Sequence, residues 1–299
     1  MSRVHRSFVA CMIGALIIVL GALQACAPRA AEPALADPIR VVSLNPCVDA
    51  ILMHVADPEQ ILSISHYSRD PATSSVPVAW ARRFKFTTGT AEEAILLRPN
   101  LIIAGPHVAR STLFAFARLH LRVLEIGVPD RIAQSAAQIR AIAKAVNHIE
   151  RGEALIAQIE ARLRIAAERE RARPIRALIW HAGGLTPGAG TLADELLTRT
   201  GFRNQSREYG LAAWDVLPVE RLLAQPPELL LSSRDAALAG DRITGHPALR
   251  HVRAHRSGQA GTGLTIVDFP PRFLNCAGPT LLESLDFLND LRAKTGDAS

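Results

Sequence analysis

Few of the chemistries that a sequence can advertise are advertised here. The 299 residues contain no Gly-x-Ser-x-Gly, no His-Glu-x-x-His and no Gly-rich loop ending in Gly-Lys-Ser/Thr. Serine hydrolases, zincins and P-loop enzymes need such segments to place a nucleophile, a metal pair or a phosphate cradle, so none of the three is supported. Gly188-Ala189-Gly190-Thr191 comes nearest to a phosphate loop and lacks its lysine. Aromatic residues are scarce, at 5% of the chain. The formal charge of +6 would suit a nucleic acid, but Lys and Arg are scattered or interleaved with Glu rather than gathered beside aromatics, so nucleic acid is not expected. Cysteine is scarce too. Of four, Cys11 lies in an N-terminal apolar stretch and Cys26 just after it, leaving Cys47 and Cys276 in the rest of the chain. Beyond Leu23 there is no second long apolar run, so the body is expected to be soluble.

What is present begins at the N-terminus. Arg3, His5 and Arg6 precede an uncharged apolar stretch from Phe8 to Leu23, followed by Leu23-Gln24-Ala25-Cys26. That order is a secretory signal, and the stretch is short beside the ~20 residues that span a bilayer. The tetrapeptide resembles a bacterial lipobox with Cys26 as the lipidated residue, which would tether the protein to a membrane through lipid only. Gln24 stands where a small residue is usual, and Ala34-Leu35-Ala36 offers an ordinary cleavage site, so both readings stand. Cleavage before Cys26 leaves a chain longer than one core comfortably fills, and two lobes are expected. Pro28, Pro33 and Pro38 mark residues 26–38 as a tether after a signal over 1–25.

Short β-rich runs then alternate with amphipathic segments, which implies an α/β layer structure with parallel sheets. Ile39–Leu44, Ile61–Ser65, Leu101–Ala104 and Arg122–Ile126 read as strands. Thr90-Ala91-Glu92-Glu93 has the form of a capping box and opens a helix that stops before Pro99. From Asp130 to Ala172 the composition is helical, with a break near Asn147 to Gly152. Leu155, Ile159 and Leu163 recur every fourth residue in its second part. A helix from Glu150 to Ala172 would reach about 35 Å and cross between lobes, although an ordinary surface helix would show the same periodicity. The alternation restarts at Arg176–Trp180. Glu92 to Ile103 can be laid over Glu220 to Leu231, each copy being Glu, an apolar half-turn, Pro and a strand. The expected organisation is a first lobe over 39–146, a connecting helix over 147–173 and a second lobe over 174–299.

At these residues the chain resembles the helical-backbone (class III) periplasmic binding proteins that serve ABC importers of cobalamin, ferric siderophores and haem. The carriers are Arg40–Leu44, Ile64-Ser65-His66-Tyr67, the paired Glu-to-Pro segments, the connector and Gly278–Leu285. The resemblance implies two Rossmann-like lobes, with a metal-chelate ligand held between them where loops leave the strand ends, and no catalysis or resident cofactor. It implies a lining drawn from Asn45, Cys47, Tyr67 and His107 in the first lobe. Facing them would be Trp180, His181, Tyr209, Trp214, Arg234, Phe269, Arg272 and Cys276. It also implies a monomer in the periplasm that docks on two permease subunits through Glu92 and Glu220.

Each residue has a plainer reading beside this one. Acids in a first helical turn are stabilising without any partner. A Trp at a strand end is more often core than ligand contact. His251 and His255 have a chelating spacing, but no carboxylate or Cys accompanies them and Arg250, Arg253 and Arg256 would repel a cation, so no metal site is expected. Cys47 and Cys276 admit three readings: a disulfide clamping the lobes, thiols touching the ligand, or buried inert cysteines. An exported metal chaperone or hydrolase, and a purely structural envelope lipoprotein, are the other functional readings.

Overall fold

Two parallel sheets result from the alternation of buried apolar strands with amphipathic helices. The computed structural model describes residues 38–71, 74–167, 173–232 and 264–296. Cys26, Arg234, His251 and His255 lie outside the described residues. The unit from Ile39 to Ser299 is compact by itself.

The first sheet contains β1 (Val41–Ser43), β2 (Ile61–Ser65), β3 (Lys85–Thr87), β4 (Leu101–Ala104) and β5 (Val123–Glu125), in the order β3-β2-β1-β4-β5. Every pairing is parallel. Val41, Val42 and all of β4 are buried, because helices cover both faces and leave no polar side for these strands. The order reverses around β1, so the loops after β1 and its neighbours diverge and open a crevice. The helices of this lobe are α1 (Pro46–Val55), α2 (Val78–Ala81), α3 (Ala91–Leu96), α4 (Arg110–Arg118) and α5 (Ile132–Ala145).

The predicted break in the helical stretch is present. After α5 the chain turns through Asn147 at φ +63°, and α6 runs from Ile149 to Ala167. Its 19 residues span about 28 Å. Gly152 lets α6 press against α5, since a Cβ there would meet the Ala143 Cβ at 2.6 Å. Leu155, Ile159 and Leu163 are buried in a core that also takes in Ile51, Ile139, Leu229 and Leu285. The connector is therefore part of the core on which both sheets rest.

The second sheet contains β6 (Ile175–Trp180), β8 (Phe202–Asn204), β10 (Leu229–Ser232) and β11 (Thr265–Asp268), in the order β11-β10-β6-β8 and again all parallel. A small antiparallel ribbon joins β7 (Leu185–Pro187) to β9 (Trp214–Val216). The helices here are α7 (Leu192–Arg199), α8 (Val219–Ala224), α9 (Arg272–Asn275) and α10 (Thr280–Gly296). The last packs along α6, where Arg162 pairs with Asp286 at 2.9 Å. The α/β class with two parallel lobes is as the sequence implied. The three-residue strands β3, β7, β8 and β9 are too short to show an alternation and went unread.

One local expectation changes. Thr90 caps α3 by accepting from the Glu93 N–H at 3.3 Å, but the Glu93 carboxylate does not return to Thr90. It accepts instead from the Thr87 hydroxyl at 2.7 Å, the Thr88 N–H at 2.7 Å and the Thr88 hydroxyl at 3.0 Å. These bonds hold its pKa below the usual carboxylate range.

Candidate ligand cleft

The C-terminal ends of the first sheet face a cavity of about 1020 Å³. Asn45 to Cys47 follow β1, Ser65 to Tyr67 follow β2, Thr87 to Glu92 end and follow β3, Gly105 to His107 follow β4, and Ile126 to Asp130 follow β5. The second lobe closes the space with Thr191 to Ala193 at the start of α7, Trp214 on β9, and Phe273 to Ala277 between α9 and α10.

The first-lobe wall is fixed by the start of α1. Asn45 caps that helix, its side-chain oxygen accepting from the Cys47 N–H at 2.7 Å, and Pro46 occupies the first turn where a missing N–H costs nothing. Gly105 allows the cap to sit close, since a Cβ there would lie 1.9 Å from the Asn45 amide nitrogen.

Cys47 and Cys276, at a sequence separation of 229, form a disulfide with Cα atoms 5.2 Å apart. Both line the cavity, so the lobes are covalently joined at the cleft and the two thiol readings fall away. Beside the disulfide the Gly278 N–H donates to the Ser135 hydroxyl at 2.8 Å. Further along, the Ile132 N–H donates to the Glu195 carboxylate at 2.9 Å. Three ties between α1 or α5 and the second lobe thus fix the cleft's base.

Under the β2 loop lies Asp49, fully buried in α1. One of its oxygens accepts from the Ser65 N–H at 3.0 Å and the Ser68 hydroxyl at 2.6 Å. The other has no hydrogen-bond partner among the described residues. Burial pushes its pKa up to about 7, against the opposing hydrogen bonds from Ser68 and Ser65. Asp49 thereby anchors the turn that carries His66 and Tyr67. Their rings lie 4.0 Å apart, and Tyr67 is 53% exposed into the cleft region. An acid inside the apolar run Val48 to Met53 was the available sequence signal for this anchor.

The other sequence-expected residues divide. Asn45, Cys47, Tyr67, His107, Trp214 and Cys276 all line the cavity. Trp214 is 45% exposed. His181 does not line the cavity but stands behind Trp214, ring centroids 5.5 Å apart, with a buried Nε2 that has no partner among the described residues. Burial lowers its pKa. Trp180 is 1% exposed and belongs to the core under the second sheet, because the strand pleat turns it inward. Tyr209 is buried in the same cluster and donates to the Gln225 carbonyl, and burial pushes its pKa up to about 12. Phe269 packs on Phe273 and Phe287 at 5.4 and 5.5 Å. Arg272 pairs with Glu283 at 3.0 Å instead of entering the cleft.

Arg234 and Arg272 were expected in the lining, and Arg234 lies outside the described residues. Among the described lining residues the formally charged ones are Glu92 and Asp130, with hydroxyls from Ser65, Thr87, Thr88, Thr90, Ser111, Thr112 and Thr191. No group of three or more His, Cys, Asp or Glu is placed to hold a metal ion among the described residues. Glu92 and Glu220 are both exposed, each the second residue of its short helix, α3 or α8.

Two α/β lobes with parallel sheets and a cavity at their strand ends place a ligand-sized crevice where open α/β sheets carry their binding sites. The chain belongs to the periplasmic binding protein family, whose profile matches residues 41–261. Solved structures share the fold. The periplasmic heme-binding protein RhuT from Roseiflexus sp. RS-1, in apo form, has a TM-score of 0.66 at 21% identity, covering 87% of this chain and 98% of that one. The periplasmic vitamin B12 binding protein BtuF of Vibrio cholerae has a TM-score of 0.64 at 19% identity, covering 86% and 97%. A periplasmic heme binding protein from Pseudomonas aeruginosa has a TM-score of 0.64 at 23% identity, covering 85% and 92%. No curated protein sequence matches this one.

Proposed function

We propose that this protein is the periplasmic substrate-binding component of an ABC importer, receiving a metal chelate in the cleft and delivering it to the permease. The observation that carries the reading is the cavity of about 1020 Å³ at the ends of two parallel sheets. It is at the upper end of small-molecule pockets, room for a macrocycle or a ferric siderophore. Tyr67 and Trp214 offer flat apolar area from opposite lobes with little rotamer freedom to lose. The metal travels inside its chelate, so the cleft supplies apolar area and hydroxyls and no metal ligand set. With Glu92 and Asp130 as the charged lining, the part of the chelate resting on the first lobe is uncharged or cationic.

The export signal delivers the chain to the periplasm, and lipid on Cys26 holds it at a membrane. Docking on the permease uses Glu92 and Glu220, one carboxylate per lobe, in matching places on α3 and α8. Neither forms an ion pair among the described residues, whereas Glu93 beside the first is committed to Thr87 and Thr88. Native mass spectrometry and the visible spectrum of protein purified from its host's periplasm test the ligand class, followed by titration with cyanocobalamin, hemin and a ferric hydroxamate. One chelate should bind at micromolar or tighter affinity. Binding of none, or turnover of a small ester or peptide by the pure protein, would overturn the reading.

A further inference from the structure

The end of the first lobe opposite the cleft is strongly basic. Because all five strands run the same way, their N-terminal ends gather there, together with the C-terminal ends of α3 and α4. Arg40 precedes β1, Arg98 precedes β4 and Arg122 precedes β5. They are neighbours in space as well. Arg40 Nε donates to the Arg98 carbonyl at 3.2 Å, the Asn100 N–H donates to the Arg40 carbonyl at 3.1 Å and the Ile102 N–H donates to the Arg122 carbonyl at 2.9 Å. Arg118 is the last residue of α4. On the β2–β3 side, Arg83 and Lys85 share a shallow depression with Leu96 and Leu97.

All six cations are exposed, and none is in an ion pair among the described residues. Glu59 is the acid of the same depression. Asp57, close by in sequence, is already held by Arg151 and His148. Two large apolar side chains stand among the cations, Leu96 at 81% exposure and Leu119 at 53%. Water solvates neither leucine well. A bilayer surface suits both kinds of group, since lipid phosphates attract the cations while leucine tips enter the boundary between headgroups and acyl chains. The chain also enters the lobe at this end, through Ile39 and Arg40, and the sequence before them carries the apolar stretch and Cys26.

We propose that this end of the first lobe is a membrane-contact surface, at which Arg40, Arg83, Lys85, Arg98, Arg118 and Arg122 meet the phosphates of anionic lipids and Leu96 and Leu119 reach into the interface. While the protein rests on this surface the cleft, at the opposite ends of the same strands, opens away from the bilayer to receive its ligand, and the contact is released when Glu92 and Glu220 dock on the permease. Nothing in this depends on which solute the cleft takes.

The test is co-sedimentation of the unit from Ile39 to Ser299 with vesicles of phosphatidylcholine alone or of equal parts phosphatidylcholine and phosphatidylglycerol. Binding to the anionic vesicles should be at least about tenfold stronger and should fall steeply with salt. Arg98→Glu with Arg118→Glu and Arg122→Glu should abolish the difference. Reversing the exposed Arg164, Arg199 and Lys294 to Glu makes the same change in net charge away from the surface, and should leave binding unchanged. If the first triple variant fails to fold, Leu96→Ser with Leu119→Ser, at exposed positions, should weaken binding severalfold. Equal binding to both vesicles, no binding to either, or equal loss in the two triple variants would refute the surface.

Discussion

Cys47 at the start of α1 and Cys276 between α9 and α10, at a sequence separation of 229, are joined by a disulfide across the cleft. In an intact protein neither thiol should react with an alkylating agent until a reductant is added. Cys47→Ser with Cys276→Ser should cost about 2–5 kcal/mol in urea denaturation, because the loop released in the unfolded chain is long. Ligand on- and off-rates should both rise as the lobes gain freedom. Two freely alkylated thiols in the folded protein would defeat the clamp.

Asp49 should make stability pH-dependent in the direction opposite to an ordinary carboxylate. Its folded pKa, about 7, lies above the ordinary carboxylate value of 3.8. The folded protein therefore holds a proton that the unfolded chain has released between those values. Its contribution is complete below 3.8 and is lost as pH rises towards 7. Asp49→Asn should change stability little near pH 4 and become progressively more favourable relative to wild type by pH 8, by at most about 4 kcal/mol. Parallel stability–pH curves for the two proteins would refute the assignment.

Glu92 and Glu220 can be separated as docking and cleft residues, since Glu92 also lines the cavity. Glu220→Arg should abolish uptake while the affinity of the pure protein for its ligand stays within about twofold, because a like-charge contact at the permease costs several kcal/mol. Glu92→Arg should do the same if its carboxylate faces the permease. A matched fall in affinity and uptake for Glu92→Arg would make it a wall of the cleft instead. Glu93→Arg should chiefly lower stability, by freeing the Thr87–Thr88 turn.

Tyr67→Ala and Trp214→Ala should each weaken ligand binding by about tenfold or more, with little change in melting temperature, since both rings are largely exposed around the cavity. Trp180→Phe and Tyr209→Phe should show the reverse, a loss of stability with near-normal affinity measured by fluorescence quenching.

Replacing Cys26 with Ser should leave only a salt-sensitive attachment, so that a high-salt wash releases the protein from membranes into the soluble periplasmic fraction. Recovery of a mature N-terminus at Asp37 from wild-type material would instead show ordinary secretion.

Sequence alone determined the layer structure and its punctuation. Ile61–Ser65 and Leu101–Ala104 were legible to the residue, the second because a strand buried on both faces becomes a continuous apolar run. The break before α6 was legible because Asn tolerates a left-handed backbone. The connector's buried stripe was legible because Leu155, Ile159 and Leu163 repeat at helical spacing. What only the tertiary structure decided was direction and meeting. Trp180 and Trp214 both looked like residues near a loop mouth, yet one points into the core and the other towards the cleft, since the pleat and the covering elements set where a side chain aims. Arg272 found Glu283 rather than the ligand space for the same reason. The pairing of Cys47 with Cys276, and the burial of Asp49 beneath the Tyr67 turn, depend on segments distant in sequence that only the packed lobes bring within bonding reach.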